Sequence, residues 1–77
     1  MTTAAEAFLK WRGAEQDVQE ARLLMLDEAR EGDAPQAAAQ HKVVLLLQRD
    51  AAERLREYLC LVEEEAKRLR CYNSTLH

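Results

Sequence analysis

The sequence predicts an all-α fold: a single domain, residues 1–77, made of two long antiparallel helices joined by one tight turn. Ala, Leu, Glu, Gln, Lys and Arg, all strong helix formers, make up 51 of the 77 residues. A β-sheet needs many turns, yet no Ser, Thr or Asn occurs between Ala4 and Tyr72. A chain of 77 residues also suffices for only one small domain with a thin core.

The first helix is predicted to run from residue 4 to residue 31. Thr3 and Glu6 have capping-box spacing, in which a hydroxyl and a carboxylate each accept a hydrogen bond from a backbone N–H at the helix start. Apolar residues then recur in alternating steps of three and four, the pattern of a coiled-coil seam. This first seam comprises Ala4, Ala7, Trp11, Ala14, Val18, Ala21 and Met25.

The only cluster of turn-forming residues follows this helix, and the turn itself is predicted at residues 32–34. Gly32 can adopt the left-handed conformation that ends a helix, and Asp33 can cap the helix that follows. Pro35 suits the first turn of that second helix. So short a connection places two helices side by side in opposite directions, which predicts a coiled-coil-like αα-hairpin.

The second helix is predicted to span residues 34–72, with a tail at 73–77. Its steps of three and four continue for more than four heptads, and we expect this second seam to pack on the first. The polar members His41 and Gln48 interrupt it, a pattern that more often sets register than performs catalysis or binds a metal. The predicted second seam comprises Ala38, His41, Leu45, Gln48, Ala52, Leu55, Leu59, Val62, Ala66 and Leu69.

Apolar surface is left over at both ends of such a hairpin. Residues 23–26 and 43–47, beside the turn, are apolar on every side, whereas one neighbouring helix covers only one stripe. The end of the second helix extends past the start of the first and overhangs it. Exposed apolar surface of this kind indicates an interface with another protein. The predicted partner-binding residues are Leu23, Leu26, Val43, Leu46 and Leu47 near the turn, and Leu61, Leu69 and Tyr72 on the overhang.

Composition argues against several functional classes. Eleven basic and fourteen acidic residues give a net charge of −3, without the cationic excess that nucleic acid selects. The start lacks the features of a signal peptide, and no apolar run is long enough to span a membrane, so we expect a cytoplasmic protein. No nucleophile–base pair, metal-ligand motif or phosphate-binding loop is present. We therefore expect a non-catalytic protein without a cofactor, which binds a different helical protein or associates with itself.

The turn segment Arg30-Glu31-Gly32-Asp33-Ala34-Pro35-Gln36 resembles the turn of the YscE-like proteins, the small co-chaperones of type III secretion needle subunits. Those proteins are hairpins of about this size with a Gly-Asp-Ala-x-Gln type connection. The segment Tyr72-Asn73-Ser74-Thr75-Leu76 is similar to the end of some members. The resemblance implies a cytoplasmic co-chaperone that, together with a tetratricopeptide-repeat (TPR) chaperone, holds an aggregation-prone needle subunit until export.

Overall fold

The computed structural model describes the backbone of residues 2–75 and the side chains of residues 2–71. Helix α1 spans Ala4–Arg30 and helix α2 spans Ala34–Thr75, and the described residues contain no strand. The helices lie antiparallel in a rod of 67 × 19 × 13 Å, which confirms the predicted all-α hairpin. With 42 residues, α2 overhangs the 27-residue α1, and it continues past Tyr72, where the sequence predicted its end.

Both helices begin at the side chains that the sequence predicted as caps. The Thr3 hydroxyl oxygen accepts a hydrogen bond from the Glu6 backbone N–H at 3.2 Å. At the start of α2, Oδ1 of Asp33 accepts one from the Gln36 backbone N–H, also at 3.2 Å. Each cap satisfies a backbone donor that the helix itself leaves unpaired, and so fixes where the helix begins.

The turn ends α1 through a left-handed glycine. Gly32 has a φ of +81°, and its N–H donates to the carbonyl of Ala29 at 3.1 Å. The next N–H, of Asp33, donates to the carbonyl of Glu28 at 3.0 Å. These two bonds form a Schellman motif, which confirms the role predicted for Gly32. Because Asp33 then caps α2 directly, the chain reverses within three residues.

The buried part of the contact between the helices consists of small side chains. No large side chain among the described residues is fully buried. Interaxial distance depends on the side chains at the contact, and alanines allow a close approach. The predicted first seam is confirmed on α1, with Trp11 and Met25 half-buried. The buried core residues are Ala4, Ala7, Ala14, Val18 and Ala21 of α1, with Val44 and Ala51 of α2.

The predicted seam of α2 is wrong by one residue. One residue corresponds to a rotation of about 100° around the helix axis. His41 and Gln48 are both exposed, so they do not set the register between α1 and α2 as expected. The small residues Val44 and Ala51 face the alanines of α1 instead. The seam that contacts α1 comprises Ala37, Gln40, Val44, Leu47, Ala51, Arg54, Tyr58 and Leu61, all buried or half-buried.

Three aromatic rings hold this rotation of α2 near the start of α1. The ring of Phe8 lies 5.7 Å from that of Trp11 and 5.4 Å from that of Tyr58, centroid to centroid. Trp11 and Tyr58 are stacked 6.4 Å apart with only 8° between their planes. The seams predicted from the sequence include Trp11 but neither Phe8 nor Tyr58, so this cluster was not predicted. Aromatic pairs at such distances contribute about 0.5–1.5 kcal/mol beyond their buried area, which favours the observed register.

Candidate interaction surfaces

The two broad faces of the hairpin differ in chemistry. On one face, a groove between the helices is lined by charged residues of both, including Lys10, Asp17 and Asp50. Asp50 also pairs with Arg54 at 3.7 Å within α2. We call this the polar face. On the opposite face, the groove between the helices is lined near the start of α1 mainly by Ala4, Ala5, Phe8, Tyr58 and Val62.

The apolar face continues along α2, from residue 38 to residue 69, as a stripe exposed to solvent. Leu45, Leu59 and Leu69 on this stripe are 51%, 53% and 64% exposed, and Leu55 is half-buried. No Asp, Glu, Lys or Arg interrupts it, although these residues make up 32% of the chain. Its length, from residue 38 to residue 69, is about 46 Å. This α2 stripe consists of the residues predicted as the second seam: Ala38, His41, Leu45, Gln48, Ala52, Leu55, Leu59, Val62, Ala66 and Leu69.

Cations border the α2 stripe on both sides. Lys42, Arg49 and Arg56 recur every seven residues, and each directly follows a stripe residue on the side away from α1. On the other side lie Arg12 and Arg22 of α1. Arg12 follows Ala5 by seven residues and Arg22 follows Phe8 by fourteen, so each cation lies on the same face of α1 as the apolar residue it follows. We call these five cations the basic border.

Few carboxylates accompany these cations. Glu15 is the only carboxylate of α1 at the corresponding positions beside residues 38–59, and Glu63 and Glu65 lie nearer the overhang. Within the basic border, only Arg49 makes an ion pair among the described residues, an exposed 3.8 Å contact with Glu53. Such an exposed pair contributes little to stability and breaks easily. The basic border therefore leaves most of its positive charge uncompensated.

The residues predicted to bind a partner near the turn are mostly exposed. Leu23 and Leu46 are 62% and 67% exposed, and Leu26 and Val43 are also exposed. Leu26 shares the face of the α2 stripe, whereas Val43 lies on the side of the polar face.

Leu47 does not belong to that exposed group. Its side chain is half-buried and packs against the core cluster of Ala14, Val18 and Ala51. The sequence placed it facing away from α1 because the predicted seam of α2 was rotated by one residue.

The residues predicted on the overhang also include one exposed and one half-buried leucine. Leu69 is exposed and belongs to the α2 stripe. Leu61 is half-buried and lies beside Thr2 and Thr3 at the start of α1, so it was wrongly placed on the overhang. The side chain of Tyr72 is outside the described residues.

Sequence reasoning missed the exposure of Leu24, Leu45, Leu59 and Val62. Three of these four were assigned to the helix contact. The sequence contains a signal for the correct assignment. Val44, Leu47, Ala51 and Tyr58 form a second pattern of three- and four-residue steps, one residue closer to the N-terminus than the predicted seam.

The described part of the chain contains no group of three or more His, Cys, Asp or Glu residues that could hold a metal ion. Cys60 and Cys71 are both exposed on α2, about 16 Å apart along its axis, which is too far for a disulfide between them. Neither helix, over the residues described, has the length and apolar character needed to cross a membrane.

No family model matches the sequence, and no curated protein and no solved structure shows significant similarity to it. The function must therefore be argued from the residues and their geometry.

Proposed function

We propose that this chain is a non-catalytic protein-binding subunit, a helical hairpin that acts by docking on a larger helical protein. One observation supports the proposal: small apolar side chains form the core, and large ones lie on the surface. Among the residues whose side chains are described, the core consists of five alanines and two valines, while eleven large hydrophobic residues are exposed. A soluble monomer normally buries its leucines and does not leave them on a contiguous surface.

The energetics favour a function in association. Burying a Leu side chain contributes about 1.5–3 kcal/mol, whereas a buried alanine contributes a single methyl group. Leu23, Leu26, Val43 and Leu46 therefore offer more apolar burial to a partner than the turn end of the core offers to the hairpin itself. Burial of these side chains against a partner would offset part of the cost of association.

The resemblance of the turn to YscE-like proteins supplies a more specific form of this proposal. In that form, the hairpin is a cytoplasmic co-chaperone that binds a TPR chaperone, and the two hold a type III secretion needle subunit before export. The exposed leucines near the turn support it, because the concave surface of a helical repeat protein accommodates a helical ligand.

Co-purification with a TPR chaperone and needle subunit tests this function. We expect Leu26→Asp and Leu46→Asp to abolish the complex while leaving the circular dichroism of the isolated chain unchanged, since both side chains are exposed. Leu9→Asp is the matched control, because Leu9 is 61% exposed but lies far from the turn. Leu47→Asp should lose helix content together with binding, because Leu47 packs on the core. An unaffected complex in both turn variants would contradict the proposed binding surface.

The alternative is a self-associating structural coiled coil. It is favoured by the uncharged α2 stripe, which could pack against the stripe of a second copy. Sedimentation equilibrium of the purified chain separates the two functions. A stable dimer or tetramer that excludes the chaperone would support the structural role, and a monomer that binds the chaperone would support the adaptor.

A further inference from the structure

We propose that the α2 stripe, with its basic border, is a docking site for an acidic amphipathic helix of another protein. The ligand's apolar seam would lie on the stripe, and its flanking carboxylates would face the basic border. This inference rests on the proposed protein-binding function, but it places the contact on the α2 stripe, whose face Leu26 shares, and it specifies the chemistry of the partner.

The spacing of the stripe selects a helix as the ligand. Its residues alternate in steps of three and four over more than four heptads, a repeat that matches another helix through knobs-into-holes packing. An extended strand has a period of two and would not match these positions. The stripe positions between residue 38 and residue 69 carry no charge. This length accommodates a helical ligand of up to about 30 residues.

The charges beside the stripe select an acidic ligand. Along residues 38–59, five cations border the stripe against two carboxylates, Glu15 and Glu53, although the chain as a whole has an acidic excess. Carboxylates at the flanking positions of a docked helix would meet Lys42, Arg49 and Arg56 on one side and Arg12 and Arg22 on the other. Charges at such flanking positions decide which helices pair.

The same charges disfavour a second copy as the occupant. A two-fold interface places the same surface on both subunits, so stripe-to-stripe packing would bring two basic borders together. In the antiparallel arrangement that matches residue 38 to residue 69, Arg49 of one copy would lie close to Arg56 of the other, and only the outer pair, Lys42 and Glu63, would attract. Like charges across an interface are destabilising, whereas an acidic helix would be attracted at the same positions.

His41 and Gln48 have a role in this arrangement. They are the polar members of the stripe and are exposed in the hairpin alone. A polar side chain in a coiled-coil seam lowers stability but fixes the alignment of the helices. Both would therefore set the register of the docked ligand, in place of the register between α1 and α2 predicted for them.

Two synthetic helices test the proposal directly. The acidic probe is a fluorescein-labelled peptide of about 28 residues, or about 42 Å of helix, with Leu at heptad positions a and d and Glu at e and g. The matched basic probe has Lys in place of every Glu. Fluorescence anisotropy with the full chain should show the acidic probe binding about tenfold more tightly or better at low salt. The difference should shrink at high salt, because the border is exposed to solvent.

Substitutions in the chain locate the binding site. The double variant Leu45→Gln, Leu59→Gln should weaken the acidic probe by about tenfold or more, because both leucines would lose apolar contacts. Leu9→Gln is the matched control and should leave binding unchanged, since Leu9 is 61% exposed but lies beside the polar face, off the stripe. The triple variant Lys42→Glu, Arg49→Glu, Arg56→Glu should reverse the preference between the two probes. Circular dichroism should stay constant, because the substituted leucines are more than half exposed and the three substituted cations are exposed to solvent.

Four results would overturn the proposal. Equal affinity for the two probes would exclude the basic border, and an equal loss of affinity in the Leu9 control would exclude the stripe. A dimer of the chain that the Leu45, Leu59 double variant dissociates would make a second copy the occupant.

If neither probe binds but the chaperone complex still forms through Leu26 and Leu46, this inference fails and the proposed function stands. If the probe binds as expected but no chaperone complex forms, the proposed chaperone role fails and the docking site stands.

Discussion

At the residue scale, the two glycines of this chain have opposite roles. Gly13 lies within α1, and a Cβ added there would meet nothing within 4 Å. Gly13→Ala should therefore stabilise the hairpin by about 0.5–1 kcal/mol, because glycine in a helix interior loses more conformational freedom on folding than alanine. A thermal melt followed by circular dichroism measures the change.

The control is Gly32→Ala, which also meets no steric obstacle but has a φ of +81°. A left-handed backbone costs a residue with a Cβ about 1–2 kcal/mol, so this variant should melt at a lower temperature. A Gly32→Ala variant as stable as Gly13→Ala would show that the turn does not need a left-handed residue.

Adjacent leucines provide a second comparison at this scale. Leu47 packs against Ala14, Val18 and Ala51, whereas Leu46 is 67% exposed. Leu47→Ala should cost about 2 kcal/mol, the lower end of the range for a core leucine, because Leu47 is only half-buried. Leu46→Ala should change the free energy of unfolding by less than about 0.5 kcal/mol. Urea denaturation of both variants checks the rotation of α2, since the rotation predicted from sequence would make both leucines neutral.

At the element scale, the sequence was sufficient for the helices but not for the rotation of α2. The caps at Thr3 and Asp33 and the turn at Gly32 depend on neighbours within four residues, and all were predicted correctly. The rotation depends on the other helix. Because α1 presents mostly alanines, Val44 lies against it where the predicted seam would have placed the larger Leu45.

The pattern on α2 is ambiguous for a physical reason. Two three–four repeats run side by side, one residue apart, and hydrophobicity alone favours the leucine-rich one. In the hairpin the leucine-rich repeat is the exposed α2 stripe, because the alanines and the three aromatic rings decide the contact. Complementarity of side-chain size across the contact is a pairwise property that the pattern of one helix does not contain.

The aromatic cluster yields a prediction for the start of α1. Phe8→Ala removes the ring that contacts both Trp11 and Tyr58, and should lower the melting temperature by several degrees for a loss of about 1 kcal/mol or more. Trp11 is the only tryptophan, so its fluorescence reports on this end alone. Its emission should shift to longer wavelength as solvent reaches the indole.

Leu59→Ala is the control for this change. Leu59 neighbours Tyr58 in the chain, but its side chain is exposed on the α2 stripe. Its removal should leave both the melting temperature and the Trp11 emission unchanged. The same spectral shift in Leu59→Ala would mean that the rotation of α2 near this end differs from the one described.

At the scale of the whole molecule, a thin core and exposed apolar surfaces belong together. A close approach of α1 and α2 requires small residues between them, which leaves the larger ones outside. The hairpin therefore resembles part of a larger helical bundle more than a finished domain. A partner that covers the outside would stabilise the folded chain by mass action, so folding and binding would be linked.

Substitution of the polar residues of the α2 stripe tests whether they protect the isolated hairpin against self-association. His41→Leu combined with Gln48→Leu would make the stripe apolar from residue 38 to residue 69. Because both residues are exposed, the contact between α1 and α2 should not change, and helix content should stay constant. The double variant should associate more strongly than the wild-type chain, since polar seam residues oppose unspecific helix pairing.

Sedimentation equilibrium over a range of concentrations measures this association, and the melting temperature of the variant should then rise with concentration. His41→Gln combined with Gln48→Asn keeps the stripe polar and should behave like the wild-type chain. A double leucine variant that stays monomeric and melts at a lower temperature would instead show that His41 and Gln48 make stabilising contacts within the hairpin. That result would restore the register role first predicted for them, and it would require α2 to be rotated by one residue so that Leu45 and Leu59 face α1.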